Sequence, residues 1–101
     1  METFVCNMDQ QEYSDYVIAI YKCYYNPNKG IVEQTCFTFN YLLHRTPSFF
    51  RSNYEFNRNA LFASLEELCY QKLMVKQQSD IGETYSITSG LVEIMRLNGY
   101  K

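Results

Sequence analysis

Apolar and polar positions alternate along this chain with a period that changes from one stretch to the next. In residues 12–25, EYSDYVIAIYKCYY, the apolar positions Tyr13, Tyr16, Val17, Ile20 and Tyr24 recur at three- and four-residue steps. That spacing lines one side of an amphipathic helix. The helix should stop at NPNKG, because Pro27 disfavours helical backbone at Asn26 and Gly30 frees it. Residues 31–44, IVEQTCFTFNYLLH, carry two patterns at once. Phe37, Phe39 and Tyr41 alternate with Thr38 and Asn40 as in a strand, whereas Ile31, Gln34, Thr35, Thr38 and Leu42 lie along one side of a helix. The helix is preferred and the strand stays open. Thr46-Pro47 then starts a new element, a short helix over PSFFRSN, since proline is accepted at a first helical position.

The clearest pattern lies in residues 56–75, FNRNALFASLEELCYQKLMV. Asn57 is placed to cap a helix, its side chain accepting an amide of the first turn. Phe56 and Leu61 hold the two positions of a hydrophobic staple. Leu61, Leu65, Leu68 and Cys69 form an inward stripe with Phe62 on its flank, while Asn59, Ala63, Glu66 and Tyr70 point the other way. The period then drops to two. Leu73 and Val75 alternate with Met74 and Lys76, and Tyr85 and Ile87 alternate with Thr84, Ser86 and Thr88. The polar break between them contains Gly82 and reads as a hairpin loop. Thr88 or Ser89 caps a last helix with Leu91, Ile94, Met95 and Leu97 inward, and Gly99 ends it.

Composition narrows the class. A chain of 101 residues, 47 % hydrophobic and 17 % aromatic, builds one core and is expected to be a single domain over 1–101, with residues 1–10 as a flexible N-terminal segment. No apolar run approaches the length of a membrane span and no export signal is seen, so a cytoplasmic protein without a membrane partner is expected. The cysteines at 6, 23, 36 and 69 lack metal-site or redox spacing, which makes four reduced, mostly buried thiols the expectation. No cofactor and no metal are implied. His44 has no recognisable catalytic neighbours in sequence, and no nucleotide or nucleophile motif is present, so no enzyme is expected.

The net charge of −2 opposes nucleic-acid binding by the molecule as a whole, but the charge is unevenly spread. Residues 1–21 hold Glu2, Asp9, Glu12 and Asp15 with no Lys or Arg, whereas residues 44–58 hold His44, Arg45, Arg51 and Arg58 against Glu55 alone. Screening confines such fields to about 10 Å, so a local basic face can act on its own.

FNRNALFASLEELCYQKLMV and TYSITSG resemble the third helix, hairpin and final-helix start of winged helix-turn-helix DNA-binding proteins, over residues 56–98. Gln71-Lys72-Leu73 departs from the family pattern, where a glycine often permits the tight turn. Within that superfamily the chain is similar both to small dimeric transcriptional regulators and to the short centromere-binding adaptors of tubulin-type partition systems on plasmids and phages. The resemblance implies a mainly α fold with a β-hairpin wing and a homodimer that binds double-stranded DNA sequence-specifically. Arg58 would reach guanine or phosphate, Asn59 an adenine edge, and Phe62 or Ala63 a thymine methyl. Arg45 and Arg51 would hold phosphates, with Lys76, Gln77 and Gln78 of the wing on the adjacent backbone. A winged-helix module that binds protein instead of DNA is the competing expectation, favoured by the net charge and by Asp80 and Glu83 at the wing tip.

Overall fold

Asp9 opens the first element in a computed structural model of the protein, which describes residues 9–99. Its carboxylate accepts the amide of Glu12 at 2.8 Å and so caps helix α1, Gln10–Tyr24. The hydroxyl of Tyr54 donates to the same carboxylate. That bond first, and the Glu12 amide second, hold the Asp9 carboxyl below its usual range. Of the segment expected to be flexible, residues 1–8 lie outside the described residues, whereas Asp9 and Gln10 already belong to the helix start.

The buried side of α1 is broader than its five-residue stripe. Tyr16, Ala19, Ile20, Tyr21, Cys23 and Tyr24 are buried, and Tyr13 and Val17 only half so. Helices pack against it from two sides, α2 (Phe39–Phe49) and α3 (Arg58–Tyr70), so it has two inner flanks. As expected, α1 ends before Pro27. Tyr25–Asn26 (β1) pairs antiparallel with Ile31–Val32 (β2) around a turn closed by the Gly30 amide on the Asn26 carbonyl, with Gly30 at a φ of 70°.

Residues 31–38 are not helical, contrary to the preferred reading. Phe37–Thr38 forms β3, and Thr38 caps α2 by accepting the Tyr41 amide at 3.1 Å. Strand and helix periods overlap there because the two elements meet at residue 38. The boundary expected at Thr46-Pro47 is also absent, since α2 runs through Pro47. Beyond the first turn of a helix, proline forfeits one ladder bond. Here it falls in the last turn, beside a Thr46 that is fully buried with its hydroxyl 3.7 Å from the Cys23 sulfur on α1. Packing between α1 and α2 outweighs the local signal.

At the end of α3 the chain reverses without a glycine. The Leu73 amide bonds the Leu68 carbonyl at 2.9 Å and the Lys72 amide bonds that of Cys69 at 3.0 Å, with Lys72 at a φ of 64°. These are the two bonds of a Schellman turn, whose left-handed residue is ordinarily glycine. Lys72→Gly should therefore stabilise the protein by about 0.5–1 kcal/mol, since it relieves the side-chain clash of a left-handed residue at some entropic cost. Urea unfolding midpoints of the two proteins measure the difference.

The turn also shifts the strand register. Leu73 is consumed by the turn, so β4 starts at Met74, which is 2 % exposed, while Val75 faces outward. The apolar side of β4 thus falls one residue later than Leu73 and Val75 led one to expect. Met74–Ser79 (β4) pairs with Gly82–Ile87 (β5), Lys76 opposite Tyr85 and Ser79 opposite Gly82. Gly82, at a φ of 110°, follows the Asp80–Ile81 turn. On its other side β5 pairs with β3, Phe37 opposite Tyr85, giving sheet order β3-β5-β4. The hairpin was legible and the third strand was not. Tyr24 reaches from α1 to donate to the Tyr85 carbonyl at 2.6 Å, and burial pushes its hydroxyl well above the usual tyrosine range.

Thr88 caps the last helix, α4 (Ser89–Leu97). Leu91 and Met95 are buried as expected, but Ile94 and Leu97 are 42 % and 71 % exposed. Only one narrow side of this short helix meets the body. Gly99, at a φ of 90°, ends it. The described residues thus comprise four helices with a small antiparallel sheet and a short hairpin. None of those helices is long and apolar enough to cross a membrane.

Candidate nucleic-acid interface

The first turn of α3 is held in place by α1. Tyr16, fully buried, accepts the Asn57 amide at 2.8 Å and donates back to the Asn57 carbonyl at 3.4 Å. Its ring packs on Phe50 and Phe56, with centroids 4.4 and 5.6 Å away. The Asn57 side chain then accepts the amides of Asn59 and Ala60 at 2.7 and 3.1 Å. The helix start is therefore fixed to the core on one side and capped on the other. Phe56 is half-buried and Leu61 fully buried, as a staple requires.

From this anchored start the helix divides cleanly. Leu61, Ser64, Leu65 and Leu68 face inward, while Arg58 and Asn59 are exposed, Phe62 is 45 % exposed and Ala63 is half-buried. The Arg58 guanidinium lies over the Phe39 ring at 5.2 Å, and Phe62 meets the same ring edge-on at 5.7 Å. A cation on an aromatic face gains about 0.5–1 kcal/mol at an exposed site. Phe39 thus aims Arg58, and Phe62 buttresses Phe39. No acidic residue occupies the first turn, so the positive end of the helix dipole is unopposed there.

The remaining candidates do not join this cluster. Arg45 sits between the rings of Tyr41 and Phe49, at 5.8 and 5.6 Å, bonds the Tyr41 hydroxyl at 3.1 Å, and lines a groove with the end of α1. Arg51 bonds the carbonyls of Ser48 and Phe50 and lies beside Gln11, Asp15 and Tyr54. It follows α2 instead of ending a separate helix. Lys76 pairs with Glu66 of α3 at 3.0 Å, and this bond, the larger influence, raises the ammonium above its usual range. Gln77 and Gln78 are exposed on β4. His44 is exposed on α2. Of the cysteines, Cys23 is buried and Cys69 half-buried, but Cys36 is exposed, so the expectation of mostly buried thiols fails at Cys36; Cys6 lies outside the described residues. No group of metal-binding side chains occurs among the described residues.

Sequence reasoning missed Phe39 and Tyr16 as organisers of the site, because both act across helices from distant positions. Under a DNA-binding reading of this surface, Phe39→Leu, which keeps apolar bulk but removes the ring under Arg58, should weaken duplex binding about 2- to 5-fold, the worth of one exposed cation–π contact. Fluorescence anisotropy on a labelled duplex reads this. Phe39→Tyr should restore it.

Comparison with known proteins gives no assignment: no family model, no curated protein and no solved structure matches the chain.

Proposed function

We propose that this chain is a winged helix-turn-helix protein that binds double-stranded DNA as a homodimer, serving as a small transcriptional regulator or a partition-site adaptor. The observation that carries this reading is α3 itself: its leucines are hidden, and its first two turns offer Arg58, Asn59, Phe62 and Ala63 as one outward patch. A major groove about 12 Å wide admits such a helix, and side chains near its start read base edges. The succession of a strand, two helices and a hairpin returning to that strand supports the same reading. With Gln78 and Lys76, the hairpin emerging directly from α3 would reach the flanking backbone. Ile94 and Leu97, exposed on α4, support a second copy as the partner of that helix.

An electrophoretic shift with pooled genomic fragments at two salt concentrations tests this. If the dimer neutralises about four phosphates, raising salt four-fold should weaken binding on the order of 100-fold. A shift that is absent, or indifferent to salt, overturns it. One set of observations favours a protein partner instead. Lys76 is already neutralised by Glu66, and the hairpin tip carries Asp80 and Glu83 around an Ile81 that is 74 % exposed. Under that reading the tip docks on a protein, and duplex DNA is ignored at any salt.

A further inference from the structure

Away from the outward patch of α3, a groove of about 520 Å³ runs between the last turn of α1, the β1–β2 turn, the second half of α2 and Gly99 beyond α4. It falls within the size of small-molecule sites, which run from roughly 300 to 1,000 Å³. Lys22 and Arg45 line it, and among the described residues no carboxylate does. Among the described residues, the ion pairs are Lys76–Glu66 and Arg96–Glu93, so neither lining cation is neutralised by such a pair. Glu33, on the chain that leaves β2, bonds the Asn26 side chain at 2.7 Å. In a protein of net charge −2, two cations outside the ion pairs of the described residues give one concave surface a local attraction for anions.

The cation is also pre-arranged. Arg45 spends one bond on the Tyr41 hydroxyl at 3.1 Å, and the rings of Tyr41 and Phe49 flank it. A guanidinium has five N–H donors, so the rest of its fork stays available, and a side chain already held loses little freedom when a carboxylate or phosphate arrives. The walls are aromatic. Tyr21, buried, stacks on Tyr25 with centroids 6.2 Å apart and planes 20° from parallel, and Phe49 lies half-buried in the lining. Aromatic walls favour flat rings through offset stacking.

We propose that this groove binds a small organic anion carrying a planar ring. Its carboxylate or phosphate meets Arg45 and Lys22, and its ring lies against Tyr25 and Phe49. The site is separate from the α3 patch that carries the DNA reading, because it uses none of Arg58, Asn59, Phe62 or Ala63.

Amide chemical-shift titration of the full chain tests it, with benzoate, phenyl phosphate and adenosine 5′-monophosphate as probes. Inorganic phosphate supplies the charge without a ring, and benzyl alcohol the ring without a charge. At least one ring-bearing anion should give saturable shifts centred on residues 21–25, 45 and 49, with both controls at least about 10-fold weaker. Arg45→Gln should weaken that binding about 10-fold or more, and Lys22→Gln less, as loss of a charge-assisted hydrogen bond requires. Both side chains are exposed, so the variants should fold; a wild-type amide spectrum checks this. The proposal fails if no ring-bearing anion saturates below about 10 mM, an affinity near −2.7 kcal/mol. It also fails if either control binds equally well, or if folded Arg45→Gln binds like wild type.

Discussion

Under the proposed function, Arg58→Ala is expected to weaken binding to a preferred duplex by roughly 5- to 150-fold, the 1–3 kcal/mol that one bidentate arginine–guanine pair discriminates. Arg58 is exposed, and its contact within the protein is the face of Phe39. Removing it leaves the hydrophobic stripe of α3 untouched, so the thermal midpoint should stay near wild type. The nature of the contact then shows in the salt dependence. Loss of a phosphate contact lowers the slope of log affinity against log salt by about one and weakens all sequences alike. Loss of a base contact leaves that slope and relaxes the preference at one base pair. Unchanged affinity in both assays would remove α3 as a DNA-reading helix.

The opposite side of the same helix should respond in the opposite way. Leu65 is fully buried in the cluster that joins α1, α2, α3 and the sheet, alongside Tyr16, Ile20, Leu42, Leu61 and Leu68. Leu65→Ala should cost about 2–5 kcal/mol through lost transfer energy and the cavity left behind. That is a large share of the roughly 5–15 kcal/mol available to a domain of this size. The thermal midpoint should fall by about 10 °C or more. Phe62→Ala, three residues earlier, should cost only about 1–1.5 kcal/mol, because the ring is already 45 % exposed. Yet under the proposed function Phe62→Ala should impair duplex binding, whereas folded Leu65→Ala should not. Calorimetry and anisotropy on both variants separate the two sides. Comparable losses of stability would mean that α3 is not divided as described.

Those expectations rest on features that differ in how far the letters alone reveal them. Asn57 was legible because a cap is local chemistry: an acceptor side chain stands within two or three residues of the amides it satisfies. The inward stripe of α3 was legible because 3.6-residue periodicity fixes which side chains share a face. Residues 31–44 resisted for the converse reason. Thr38 ends a two-residue strand and caps the following helix, so a window long enough to detect a period spans both elements. Pro47 misled because its local cost is offset by Thr46 packing against Cys23, 23 residues away. Lys72 concealed a sharp turn, since a left-handed lysine leaves no compositional trace and only its two backbone bonds reveal it.

Among the candidate contact residues the same division holds. Arg58, Asn59, Phe62 and Ala63 share one helix, so sequence spacing placed them together. Arg45, Arg51 and Lys76 were grouped with them by their charge and by the place the winged-helix resemblance gave them. They lie instead on the α1 groove, on the carbonyls of residues 48 and 50, and on Glu66.

What the amino-acid order determined by itself was the start and inward side of α3, the β4–β5 hairpin, the caps at Asn57 and Thr88 and the chain's composition, each set by interactions within a few residues. The tertiary structure alone decided that β3 joins the hairpin, that Tyr16 fixes the start of α3, that Phe39 lies beneath Arg58, and that Arg45 belongs to a separate groove. The reason is physical. Periodicity and capping act over one or two turns of backbone, whereas a guanidinium on a ring or a hydroxyl on a distant amide depends on where packing brings whole helices together.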